Sequence, residues 1–371
     1  MRTKLSVILS LLALVAVSCK VNQQTRVQSI PYVQDIVSGN DNPAAVILAE
    51  SGTIGKSGAI VVIGSKEACA AYSRAFCQSD THDNGAGKSL PDNLPDFAGE
   101  TVTSIVDHCA DLAAEWIELG GTERLRELAV RQVVSAIDTT YHLSPYDLEG
   151  LGHKTPAKMV VMTGLSYPAY GKSDVDTLLR ATSCPIPVVS PFDITVSKVI
   201  DSVPKGISIA VGIVCDSLSF RTAALQDRFL ASAAAAGISG AECFMFLNPD
   251  ANTPLAAVLD SYIAAEGSRP LDALIVCNPD ADCRKFESEI TTLTSLMNPE
   301  SITYGKFIAK GFTVFSLVDE TMEYCYRLLR DGNLFTHDIS YPQTSSFVTV
   351  DNPDETQNGI MVVPPTFYVQ D

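Results

Sequence analysis

Ile207-Ser-Ile-Ala-Val-Gly-Ile-Val214 is an apolar, largely β-branched run that stops at Cys215-Asp216-Ser217. A short run of this kind, bounded by capping residues and too short for a helix, reads as a strand buried on both faces. The same signature recurs at Lys158–Met162, Ile186–Val189, Glu242–Leu247, Leu271–Val276 and Phe312–Leu317, and a helical segment follows each. Consecutive βα units predict parallel sheets with helices on both faces. The helix signals agree: Ser173 with Asp176 three residues on resembles a capping box before Leu178-Leu179, and Arg327 and Arg330 precede Gly332, where a helix should end.

Upstream, Val102, Ile105, Val106, Cys109, Leu112, Ala113, Trp116 and Ile117 recur at three- and four-residue steps. That spacing predicts one helical face ending at Gly120-Gly121, followed by a second helix over Thr122–Ile137, together a helical hairpin. Ala45–Ala49 and Ala59–Ile63 flank Glu50-Ser-Gly-Thr-Ile-Gly-Lys-Ser-Gly58, which suits either a β-hairpin or a strand followed by a ligand loop. Downstream, Phe347–Val350 and Ile360–Val363 are expected to add strands at an edge. The chain has 371 residues, and a domain takes roughly 100–200. The expectation is an α/β protein of two Rossmann-like lobes with parallel, doubly wound sheets, plus the helical hairpin in the first half. Its parts would be a signal at 1–19, a tether at 20–43, a first lobe at 44–203, a second at 204–335 and a returning tail at 336–371.

The N-terminus carries Arg2 and Lys4, an apolar run from Leu5 to Val17, and Ser18 directly before Cys19. This is the pattern of an export signal, with an apolar stretch too short to cross about 30 Å of hydrocarbon. Ala16-Val17-Ser18-Cys19 resembles the lipobox of bacterial lipoproteins, which implies lipidation at Cys19 and a body tethered to a membrane of the bacterial cell envelope, on its periplasmic or surface face. The anchor would be the sole membrane contact. With 26 Lys plus Arg against 43 Asp plus Glu, the formal charge is −17. An acidic surface disfavours nucleic acid and anionic lipid headgroups. Of the ten cysteines, Cys215, Cys243 and Cys277 sit in buried-strand contexts, and Cys69 and Cys77 are too far apart along a helix to bridge. Mostly free thiols are expected.

Ligands of parallel sheets bind beyond the carboxyl ends of the strands. Those positions hold Thr163-Gly164-Leu-Ser166, Ser190, Cys215-Asp-Ser217-Leu-Ser219, Asn248-Pro-Asp250, Cys277-Asn278-Pro-Asp280 and Val318-Asp319. Candidate ligand-binding residues are therefore Thr163, Gly164, Ser166, Ser190, Ser217, Ser219 and Asn278, and the chemistry suits a small polar or zwitterionic molecule. The same residue types are also preferred helix N-caps, a role that needs no ligand. His82, His108, His142, His153 and His337 lack metal-ligand spacing, and HExxH, GxSxG and GxGxxG are absent; no metal or cofactor is predicted. Asp80-Thr-His-Asp-Asn-Gly85 has half the oxygens of a calcium loop, but Pro91 stands where the closing glutamate belongs.

Ile186-Pro-Val-Val-Ser-Pro191, Ile209–Ser219, Leu271–Cys277 and Phe312–Asp319 together resemble the strand order and loop spacing of the Asp/Glu racemase superfamily, and Glu50-Ser51-Gly52 is similar to its first acidic Ser-Gly loop. Racemases of that family use one thiol from each lobe, and the resemblance places Cys277 as the second-lobe thiol and candidate catalytic residue. At the first-lobe position this chain has Thr163-Gly164. A hydroxyl is a far poorer base than a thiolate, so a one-thiol isomerase or lyase acting on an amino or dicarboxylic acid fits better than two-base racemisation. The alternating pattern is also similar to type I periplasmic binding proteins, which close two lobes on a solute. The leading expectation is an exported, lipid-anchored protein that binds a small polar solute between its lobes for uptake or sensing. Catalysis through Cys277 and service as a scaffold for another envelope protein are the alternatives.

Overall fold

The computed structural model describes residues 28–39, 42–83, 88–203, 208–247, 254–265, 267, 269–295, 301–336, 338–354 and 359–367. The signal-like segment with Cys19, the Asn248–Asp250 loop and His337 lie outside them. Among the described residues, no helix is long and apolar enough to cross a membrane.

Two short helices, α1 (Pro31–Ser38) and α2 (Pro43–Glu50), precede the first strand, β1 (Ala59–Gly64). Ala45–Ala49 thus belongs to a helix, neither to a hairpin nor to a strand. Pro43 stands at its first turn and the Asn42 side chain accepts from the Ala44 amide, so Asn42-Pro43 is a cap followed by a helix-compatible proline. Glu50-Ser51-Gly52 accordingly closes a helix, and the loop after the first strand is Gly64-Ser65.

Next come α3 (Lys66–Gln78), β2 (Thr101–Val106), α4 (Ala113–Glu118) and α5 (Thr122–Ile137). The continuous helix expected over Val102–Ile117 is therefore a strand, a turn and a helix of six residues. Thr101-Val-Thr-Ser-Ile-Val106 is mostly β-branched and lies between β1 and a later strand. Pairing on both edges overrides the helical spacing. The helical hairpin survives as α4 and α5, with a first arm much shorter than expected. After the β3 (Thr140–Ser144) and β4 (Asp147–His153) hairpin, the chain forms β5 (Ala157–Met162), α6 (Ser166–Ala181), β6 (Val188–Val189) and α7 (Pro191–Asp201). Ser173 lies inside α6 and caps nothing, because that helix starts at Ser166 with Pro168 in its first turn.

The second group is β7 (Ile209–Cys215), α8 (Ser217–Thr222), α9 (Ala224–Ala235), β8 (Ala241–Leu247), α10 (Leu255–Ala264), β9 (Leu271–Val276), α11 (Cys283–Thr294) and β10 (Ile308–Ser316). The chain then returns through α12 (Leu317–Asp331) to β11 (Gln343–Asp351) and β12 (Ile360–Val363). The strands form a six-stranded sheet in the order β12-β11-β2-β1-β5-β6 and a four-stranded sheet in the order β10-β9-β7-β8. Every pairing is parallel except β11 with β12 and the small β3–β4 hairpin.

Both sheets are covered on both faces, as their uninterrupted apolar strands require. In β1, Ala59, Val61 and Ile63 pack with α5 and α6, whereas Ile60 and Val62 pack with α3 and α12. In β7, Val211 and Ile213 face α9, and Ala210 and Val214 face α10 and α11. Burying a large aliphatic side chain contributes ~1.5–3 kcal/mol, so these four apolar layers hold the fold together. The lobes also interlock: Leu165 and Ala169 of the first pack on the core of the second, and Leu218 of the second packs on the core of the first.

Candidate functional site

Four of the seven candidate ligand-binding residues are committed to hydrogen bonds within the protein. Thr163, just past β5, is buried and its Oγ1 donates to the carbonyl of Ile63 at 2.9 Å. Ser190 is buried and accepts from the Asp193 amide at the start of α7. Asp216 caps α8 by accepting from the Ser219 amide at 2.8 Å, and the buried Ser219 hydroxyl donates to the same carboxylate. Asn278 Oδ1 accepts from the Asp280 amide at 2.9 Å. Ser217 is exposed at the start of α8, and Ser166 is half-buried at the start of α6. Gly164 lines a cavity of about 10 Å³ with Gly64, Asp107, Gln132 and Tyr167, at most the size of one water. In the Asp80 loop, the Asp80 carboxylate accepts from the amides of Asp92 and Asn93, which makes it the organiser of a turn.

Cys277 is placed at the carboxyl end of β9, 5% exposed, inside the apolar core of the second lobe. Burial first, then Cys215, Asp216 and Cys243, pushes its thiol well above the ordinary range. The fully buried Tyr72, from α3 of the first lobe, hydrogen-bonds Thr321 and lies within electrostatic range of Cys277. The nine cysteines of the described residues are all free.

The two lobes meet in an open polar groove of about 520 Å³. Arg74 of α3 forms one wall, and Pro279–Arg284 after β9 with Ser316, Val318 and Asp319 after β10 form the other. Arg74 Nη1 lies 3.3 Å from Asp280 Oδ1, with more than half of each side chain exposed. Ser316 caps α12 by accepting from the Asp319 amide, and Asp282 caps α11 by accepting from the Arg284 amide. These caps fix the loops whose charged ends face the groove. Cys283, on the same wall, is pushed up to about 12 by burial first and by Asp319 next, so it stays protonated at neutral pH. Asp280 and Asp319 stand in loops singled out from the sequence, but Arg74 carried no local signal: it lies 206 residues from its partner.

Two interlocked α/β lobes with parallel sheets and a polar groove between them define the class. In fold, the chain is structurally similar to glutamate and aspartate racemases at low sequence identity. A glutamate racemase isoform from Bacillus anthracis aligns with TM-score 0.44 and 15% identity over 80% of this chain and 90% of that one. Glutamate racemase from Francisella tularensis, solved with D-glutamate, aligns with TM-score 0.41 and 12% identity over 79% and 88%. An aspartate racemase homologue from Pyrococcus horikoshii aligns with TM-score 0.37 and 11% identity over 74% and 99%. The sequence matches no family model and no curated protein.

Proposed function

We propose that the protein binds a small zwitterionic or polyfunctional acid in the groove between its lobes, and that it does so at a bacterial envelope membrane to which Cys19 is tethered by lipid. The observation that carries the reading is the groove's mixed charge: Arg74 on one wall faces Asp280 and Asp319 on the other, with Asp282 and Arg284 beside them, within about 520 Å³. Small-ligand pockets span roughly 300–1,000 Å³ and use a few convergent polar groups for orientation. An exposed ion pair such as Arg74–Asp280 is worth only ~0–1 kcal/mol, so a ligand carboxylate can take the place of Asp280 at the guanidinium while an ammonium meets Asp319. Both lobes contribute, so occupancy also tightens their contact. A thermal-shift screen of amino acids, dicarboxylic acids and sugars tests it. At least one zwitterion or acid should raise the melting temperature with concentration, as ligands selective for the native state do, and Arg74→Ala should abolish the shift. Stabilisation by neutral sugars alone would refute the assignment.

A second reading, an isomerase or lyase acting on an amino or dicarboxylic acid, is favoured by one feature. Cys277 lies at a strand end within electrostatic range of Tyr72 of the opposite lobe, and a thiol held protonated is the state a proton donor requires. Solvent deuterium appearing at the α-carbon of an acid, lost in Cys277→Ala, would support this reading; its absence with every acid that binds would exclude it.

A further inference from the structure

We propose that Asp107, His108 and Cys109, with Asp351 beside them as a fourth ligand, form a binding site for a divalent transition-metal ion of the zinc or cobalt class, at the carboxyl edge of the first sheet. Strand β2 ends at Val106, and the next three residues turn sharply, with the Cys109 amide donating to Asp107 Oδ1 at 3.0 Å. Strand β11 runs beside β2 with Val348 opposite Val106, which brings Thr349 and Asp351 alongside that turn. One donor atom from each of Asp107, His108 and Cys109 lies within 4.8 Å of the others. Cys109 Sγ is 2.9 Å from His108 Nε2, and Asp351 Oδ1 is 3.3 Å from the same nitrogen. Tetrahedral ligands with bonds of about 2.0–2.3 Å stand roughly 3.3–3.8 Å apart, so small side-chain rotations gather Asp107, His108 and Cys109 around an ion, and the exposed Asp351 swings in from outside that cluster as the fourth ligand.

The outer layer needed to aim these ligands is in place. His108 Nδ1 pairs with Thr349 Oγ1 at 3.1 Å, which fixes the ring and directs Nε2 toward the thiol and Asp351. Gln132 Nε2 donates to Asp107 Oδ1 at 2.8 Å and to Thr349 Oγ1 at 3.1 Å, tying the ligand Asp107 to the supporting Thr349. Partners of this kind orient ligands and raise their basicity. Asp107 and Cys109 are buried while Asp351 is 88% exposed, so the site has a dry floor and one solvent-facing ligand through which an ion enters. A donor set of nitrogen, oxygen and sulfur selects a borderline ion over Mg²⁺ or Ca²⁺, which take oxygen. On binding, the Cys109 thiol releases its proton to solvent and the thiolate ligates, so affinity rises with pH.

The test is a Co²⁺ titration of the chelator-treated full-length chain, followed by the thiolate-to-cobalt charge-transfer absorption. The site predicts one equivalent of Co²⁺ with that band, displacement by Zn²⁺, and loss of the band in Cys109→Ser. His108→Gln and Asp351→Asn should each weaken binding at least ~10–100-fold, the loss already typical of removing an outer partner. The exposed Asp351→Asn variant carries the test if Cys109→Ser does not fold. No saturable band in the wild-type chain, or a band unchanged in Cys109→Ser and Asp351→Asn, overturns the proposal.

Discussion

Replacing Lys158 with methionine probes a fully buried charge. Lys158 and Glu100 form an ion pair in which both side chains are fully buried. Lys158 Nζ also donates to the carbonyls of Lys56 at 2.7 Å and Leu334 at 2.9 Å, and Glu100 accepts from the Thr336 amide at 3.0 Å. The pair therefore ties the starts of β2 and β5 to the segment leaving α12. Burial is the largest influence on both groups: it raises Glu100 and lowers Lys158, against the opposing pull of their attraction. Lys158→Met leaves a buried carboxylate without its counter-charge, a cost of ~3–5 kcal/mol. Each abandoned carbonyl adds up to ~1–3 kcal/mol. Lys158→Met with Glu100→Leu removes both charges, and exchanging a buried pair for apolar groups is often neutral or stabilising by ~1–4 kcal/mol. The double variant should thus be more stable than the single one, by up to ~4 kcal/mol once the ~1–3 kcal/mol for the orphaned Thr336 amide is set against the relieved charge. Glu100 has a raised folded pKa, so its contribution is present at acid pH and lost as pH rises through that value; the deficit of the single variant should narrow as pH falls from neutrality. Urea unfolding followed through Trp116, the one tryptophan in the chain, reads both effects. A double variant no more stable than Lys158→Met would refute the argument that desolvation dominates.

Two further substitutions test the packing of the first lobe. Lys154 is buried with Nζ donating to the carbonyls of Ala136, at 3.0 Å, and Asp138, and burial lowers it to about 8 against the opposing effect of Asp138. A depressed lysine contributes stability above its unfolded pKa of about 10.5 that is lost as pH falls through the folded value. The wild type should lose up to ~3 kcal/mol relative to Lys154→Met between those limits, measured by denaturation at several pH values; a pH-independent difference would contradict this. At Gly171, a Cβ would stand 2.4 Å from Ala129 Cβ and 3.3 Å from the Arg126 carbonyl, because α5 and α6 cross with almost no side chain between them. Gly171→Ala should destabilise by ~1–3 kcal/mol, and a melting temperature equal to wild type would show that the helices can separate freely.

Much of the architecture is legible from residue order, for a physical reason. Strands β5, β7 and β9 are buried on both faces, so they appear as largely apolar runs such as Lys158–Met162 and Leu271–Val276. Strand β2 escapes because Val102, Ile105, Val106 and Cys109 also satisfy a helical period, and sequence spacing does not reveal that β1 and β11 flank them. Asn42-Pro43 carries a valid cap signal for α2 that reading 20–43 as a tether obscures. The site is less legible. Hydroxyls after strand ends are the expected ligands of a parallel sheet, yet Thr163 and Ser190 are absorbed by carbonyls and caps. Arg74 meets Asp280 across the lobes only once both are folded. Asp107-His108-Cys109 is contiguous, but its meaning depends on Asp351, which β11 delivers from the far end of the chain.

The most direct measurement is mass spectrometry of the small molecules released on denaturing the purified chain, beside the Arg74→Ala, Asp319→Asn variant. A groove that recognises a zwitterion or acid predicts one such compound in near-stoichiometric amount from the wild type and its disappearance from the variant. The same compound released equally from both proteins would contradict it.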